Sequence, residues 1–156
     1  MSVGRQGFTL IELLIALSVI AVLMAAGAAS LRAPVAQVYA ENVKTLLLQS
    51  RFEAIRQSQP VVVSWNAAAG RFEAFLGDLD APCDLPSSGV PLLRTDAAEV
   101  GRIDVSITGE GSLVWVPSGQ ARTCGGLVFT EVVATINDSR VTRQVVVSFG
   151  GRVEVN

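Results

Sequence analysis

The sequence predicts an α+β protein in which a long N-terminal hydrophobic helix, transmembrane and then amphipathic, packs on an antiparallel β-sheet domain. Two observations predict it. Residues 8–31 form a run of 24 with a single charge, Glu12. After Pro60 the apolar period changes from helical to alternating, and clusters of Gly, Pro, Asn and Asp punctuate the runs. The expected organisation is a short segment over residues 1–7, a transmembrane helix over 8–31, an amphipathic helix continuing it over 32–58, and a β domain over 60–156.

The first element is the apolar run. At about 1.5 Å per residue it makes a helix of roughly 36 Å, enough for a hydrocarbon core of about 30 Å. A carboxylate deep in a bilayer costs about 2.5–3.5 kcal/mol on insertion scales. Glu12 therefore calls for a cation at membrane depth, and nothing else in this segment supplies one. A neighbouring chain that begins at Phe8 with a free amine does. Two plainer readings stand beside this one. Arg5, residues 13–24 and Ala26-Gly27-Ala28 fit the parts of an ordinary secretory signal. That reading places Glu12 inside the apolar approach, and the helical pattern does not stop after Ala28. A plain single-span anchor leaves Glu12 without a role.

The second element is amphipathic. Pro34 lacks an N–H and clashes with the carbonyl of Ser30, which predicts a kink where the anchor ends. Beyond it Val35, Tyr39, Val43, Leu46, Leu47, Ser50 and Ala54 share one helical face. Leu48, Phe52 and Ile55 form a second, narrower strip. Two strips call for two partners: the protein's own sheet, and either a neighbouring helix or another side of the same core. Pro60 ends the helix.

The remaining elements are strands. Candidates are 61–65, 71–76, 103–108, 113–116, 127–131, 132–136, 143–149 and 152–155. Gly109-Glu110-Gly111, Pro117-Ser118-Gly119 and Asn137-Asp138-Ser139 read as turns. Gly150-Gly151 fits a two-residue primed turn.

Composition narrows the function classes. The chain has 156 residues, 12 basic and 14 acidic side chains, and no histidine. That is one modest domain plus an anchor. The absence of histidine removes Ser-His and Cys-His pairs and histidine metal ligands. No C-x-x-C, Walker loop or nucleophile elbow is present, so no catalytic residue is assigned and no cofactor is expected. Asp78, Asp80 and Asp84 match no calcium-loop spacing and read as a solvated acidic loop, so no metal is expected. Two cysteines on an exported domain, Cys83 and Cys124, suggest a disulfide; two buried free thiols are the alternative.

Gly7-Phe8-Thr9-Leu10-Ile11-Glu12-Leu13-Leu14 resembles the class III leader of type IV pilins and type II secretion pseudopilins. The resemblance implies that residues 1–7 are a leader. A prepilin peptidase would cut between Gly7 and Phe8 and methylate the new N-terminal Phe8. Glu12 would meet the N-terminal amine of an adjacent subunit during assembly. Three further patches resemble the GspH/FimT branch of minor subunits: residues 47–61, Leu113-Val114-Trp115-Val116-Pro117-Ser118-Gly119, and 145–148 with Gly151-Arg152-Val153. Members are thought to sit at or near the tip of a pilus or pseudopilus. The resemblance implies a bacterial inner-membrane, single-pass protein with a periplasmic β domain. Its partners would be other pilins or pseudopilins, the prepilin peptidase and the inner membrane. Some FimT-like subunits bind DNA through a C-terminal Gly-Arg-x-Arg pattern. Here Gly151-Arg152-Val153-Glu154 carries an acid at the second basic position. Arg140, Arg143 and Arg152 remain as a candidate DNA patch, opposed by Asp138 and Glu154 and not favoured.

Overall fold

The computed structural model describes residues 9–30, 34–84, 89–98, 102–108, 112–124 and 131–156, and for 25–30, 108, 132 and 133 the backbone alone. The chain divides into two compact units, Met1–Ala33 and Pro34–Asn156. The first unit holds helix α1, Leu10–Ser30. Its large apolar side chains from Leu10 to Met24 are 47–76% exposed, so this helix has no core of its own to bury against. Among the described residues no helix is long and apolar enough to cross a membrane. The described side chains of α1 end at Met24, about 22 Å from Leu10 at 1.5 Å per residue.

The second unit opens with α2, Val35–Gln57. Pro34 stands at its N-cap with ψ 136°, extended rather than helical. The ring fixes φ and removes a donor that a first turn cannot pair anyway. The step from α1 to α2 falls on residues 31–33, outside the described residues. The predicted inward face of α2 is borne out except at its first residue: Tyr39, Val43, Leu46, Leu47, Ser50 and Ala54 are buried, joined by Ala36 and Ala40, while Val35 is half-buried against the core. Ser58 closes the helix in the left-handed region, its N–H donating to Ile55 O.

Among the described residues nine strands follow: β1 Val61–Asn66, β2 Arg71–Leu76, β3 Leu93–Arg94, β4 Asp104–Thr108, β5 Ser112–Trp115, β6 Ala121–Thr123, β7 Val132–Asn137, β8 Thr142–Val147 and β9 Val153–Val155. They form two antiparallel sheets, ordered β3-β2-β1-β5-β6 and β4-β7-β8-β9. Both lay an apolar face against α2. Trp115, Val61 and Val63 come from one sheet, and Ile136, Val145 and Val147 from the other. The two- and three-residue strands β3 and β6 carry too few residues for alternation to show, which is why sequence periodicity misses them. The candidate strand at 127–131 lies, except for Glu131, outside the described residues, as does the turn at 109–111.

The Gly-Gly turn differs from the expectation. Val147 pairs with Val153, leaving a longer loop. Ser148 N–H donates to Arg152 O and Gly151 N–H to Ser148 O. A two-residue type I′ turn needs positive φ at both central residues. Here Gly151 has φ 80° and Gly150 has none. The turn at Pro117-Ser118-Gly119 is built alike: Val116 N–H donates to Gln120 O, Gly119 N–H to Val116 O, and Gly119 has φ 77°.

Val62 and Val114 are fully buried although they lie outside the core cluster under α2. Alternation puts them on the far face of the first sheet. Gly77 shows what covers Val62: a Cβ on Gly77 would stand 3.2 Å from Val62 Cγ2 and 3.1 Å from Pro82 O. The loop beyond β2 is thus folded back over the sheet. A Cys83–Cys124 disulfide, Cα–Cα 5.3 Å, ties that loop to the end of β6. A void of about 30 Å³ remains where α2 meets both sheets, among Val43, Leu47, Val63, Phe72 and Val145. It is apolar and far below the 300–1,000 Å³ typical of a ligand pocket.

Candidate functional site

Glu12 has a local partner that the sequence reasoning missed. Thr9 N–H and Thr9 Oγ–H donate to Glu12 Oε2 at 3.0 and 2.9 Å, and Glu12 N–H donates to Thr9 Oγ1 at 3.4 Å. This is a capping box at the start of α1. The signal was legible: Thr9 and Glu12 stand three apart just before an apolar run. The carboxylate is therefore hydrogen-bonded within its own chain and placed at a helix N-terminus, where a negative charge is favoured. Gly7 and Phe8 lie outside the described residues.

The narrower strip of α2 is not part of the core. Leu48, Phe52 and Ile55 are 43%, 63% and 47% exposed. Beside it sits Arg51, half-buried, whose Nη1 donates to Gly151 O at 2.9 Å. Gly119 and Gly151, one from each sheet, meet on this guanidinium. A Cβ on Gly151 would lie 2.5 Å from Gly119 O and 3.0 Å from Arg51 Cζ. One on Gly119 would lie 3.0 Å from Ile55 Cδ1 and 3.2 Å from Arg51 Nε. Only residues without side chains let the two turns touch here.

At the other end of α2, Asp138 acts as a distant cap. Pro34 offers no side-chain bond to the first turn. Asp138, in the β7–β8 turn, accepts from Ala36 N–H at 3.0 Å through Oδ2 and from Arg140 and Val141 N–H through Oδ1. The bond from Ala36, then those from Arg140 and Val141, lower the carboxyl below its ordinary value of 3.8. A lowered folded-state value means stability that is present at neutral pH and lost as pH falls through that value. Asp138→Asn keeps an acceptor for the turn and loses the one for the helix. The expected result is a lower melting temperature at pH 7. The gap from the parent should narrow below about pH 4, which thermal melts across pH would show.

The three arginines of the candidate patch do not converge. Arg140 and Arg143 lie at the β7–β8 end of β8, and Arg152 lies beyond its other end, where its carbonyl pairs with Ser148. The five residue steps from Arg143 to Ser148 span about 16 Å of strand. Arg152 is instead paired with Glu154, Nε to Oε1 at 2.6 Å. Among the described residues no group of three His, Cys, Asp or Glu side chains could hold a metal ion.

Residues 39–151 match the family model described as Type II transport protein GspH. The chain belongs to the GspH family. Residues 3–28 of this GspH-family chain also match the prokaryotic N-terminal methylation motif. Its fold is similar to that of the type IV minor pilin FimU of Pseudomonas aeruginosa, at TM-score 0.59 and 17% identity, covering 77% of this chain and 87% of that one. It is also similar to the minor pseudopilin EpsH of the type 2 secretion system of Vibrio cholerae, at TM-score 0.55 and 17% identity, covering 78% and 95%. No curated protein sequence matches the chain.

In this GspH-family domain the patches that carry the sequence resemblance come together in space. Arg51, Gly119 and Gly151 are separated in sequence and adjacent in the fold. Duplex DNA should bind weakly or undetectably at physiological salt, because Glu154 neutralises Arg152 and the other two arginines of the candidate patch lie about a Debye length or more away. Fluorescence anisotropy with the full chain in detergent checks it. Glu154→Arg, which restores a second basic position, should raise the affinity.

Proposed function

We propose that the chain is a minor pilin or pseudopilin subunit, placed at or near the tip of a type II secretion pseudopilus or a type IV pilus, where it supports filament assembly. The observation that carries this reading is the order of the parts. A methylation motif over residues 3–28 runs into an apolar helix with exposed sides, and a GspH-type domain follows. Residues 1–7 are then the leader, prepilin peptidase cuts between Gly7 and Phe8, and Phe8 is N-methylated. The apolar run holds the subunit in the inner membrane with its β domain in the periplasm. On assembly the Glu12 carboxylate exchanges its Thr9 bonds for the N-terminal amine of a neighbour. The role is structural, and no catalytic residue is assigned.

Intact-mass analysis of the membrane-extracted protein tests the processing. The mature chain should begin at Phe8 with one added methyl group. A start near Ser30 would instead establish a conventional signal peptide. Glu12→Ala should leave insertion unharmed, since a costly carboxylate is gone. It should reduce cross-linking to sister subunits by about tenfold or more, the scale of losing one partnered charge. Undiminished cross-linking would show that the amine pairing is not needed.

A further inference from the structure

Among the described residues Arg51 is a half-buried cation with no carboxylate partner. Nη1 donates to the Gly151 carbonyl, and Nε is sealed from solvent without a partner. Nη2 has no hydrogen-bond partner among the described residues and, unlike Nε, is not sealed in. An arginine held in place by two glycine turns loses little further freedom on pairing, and the charge lacks only its counterion. At three and four residues' distance along α2 are Leu48 and Ile55, with Phe52 between them on the exposed side. An aromatic and two aliphatic side chains beside an arginine make the composition of an interface centre rather than of a solvated helix face.

Resting on the filament reading above, we propose that Arg51 with Leu48, Phe52 and Ile55 is a docking face for a neighbouring pilin-like subunit, which presents a carboxylate within an apolar helix face. The charge of Arg51 and its missing counterion select an acidic partner. The size of the patch selects one already held in the same filament. Three half-exposed side chains offer on the order of 300 Å², whereas a stable free-standing pair buries about 800 Å² on each partner. The face therefore acts as a second contact, made effective by the high local concentration that helix packing provides.

The test places a photo-cross-linking amino acid at position 52 in the full-length protein, in cells that assemble the filament. Controls carry it at Leu17 in α1 and at Gln144, which is exposed on β8. Cross-links to a sister subunit are expected from 52 and 17 and not from 144. Arg51→Gln should lower the yield from 52 about tenfold, and Arg51→Lys, which keeps the charge, by much less. Leu48→Ser, at an exposed position that leaves the fold intact, should also lower it. Melting of the detergent-extracted variants separates lost docking from lost folding. Cross-links from 17 but none from 52 would overturn the docking face and leave the filament reading standing. Equal yields from 52 and 144, or yields indifferent to both Arg51→Gln and Leu48→Ser, would also overturn it. Silence at both 52 and 17 would overturn the filament reading, and the docking face with it.

Discussion

Gly151→Ala should destabilise the β domain by about 3 kcal/mol or more. Two costs add. A non-glycine residue at φ 80° is strained by roughly 1–2 kcal/mol. The new methyl then meets a backbone oxygen, Gly119 O, at 2.5 Å, which no side-chain rotation relieves. Forcing a methyl into a packed site costs typically 1–3 kcal/mol. Chemical denaturation of the detergent-extracted protein measures the loss. Gly150→Ala is the matched control. Nothing stands within 4 Å of its Cβ, so it should stay within about 0.5 kcal/mol of the parent. Equal behaviour of the two variants would show that the two turns do not touch in solution. Gly119→Ala should fall between them, because the end of the Ile55 side chain can give way and a carbonyl cannot.

Replacing both cysteines with serine should have an effect of similar size. Cys83 and Cys124 are 41 residues apart in sequence. The chain-entropy model gives a bridge over such a loop about 4 kcal/mol, with native-state strain and residual unfolded structure reducing it. The melting temperature should fall by about 10–20 °C. The loss should concentrate where the bridge acts. With the loop after β2 released, Val62 on the far face of the first sheet gains access to solvent. Hydrogen exchange should therefore rise in β1 and β5 ahead of β8. Thiol labelling of the denatured, unreduced parent should be nil, and full labelling would exclude the bridge.

Local chemistry repeated over many residues was legible in the sequence by itself. The apolar run with one acid defined the first helix, and the N-terminal methylation motif was readable with it. The 3.6-residue spacing of Tyr39, Val43, Leu46, Leu47, Ser50 and Ala54 named the face of α2 that is buried. Alternation located seven of the nine strands among the described residues, and an even pair of cysteines pointed to their bridge. The Thr9–Glu12 box is equally readable, from a Thr and a Glu three residues apart at the start of an apolar run.

Only tertiary structure decided the rest, because it depends on residues far apart in the chain. Alternation defines two faces for every strand but not which strand lies beside which, so the division into two sheets stayed hidden. The exposure of Leu48, Phe52 and Ile55 follows from where the sheets stop, not from the helix's own pattern. Asp138 caps the first turn of α2 through Ala36, 102 residues earlier, and nothing near Pro34 announces it. The arginines at 140, 143 and 152 look clustered in sequence, yet β8 holds them apart along its length. Arg51, Gly119 and Gly151 each read as ordinary helix or turn residues. Their shared role arises because two separate hairpins present the same left-handed glycine to one guanidinium, a contact that exists only once both sheets are folded against α2.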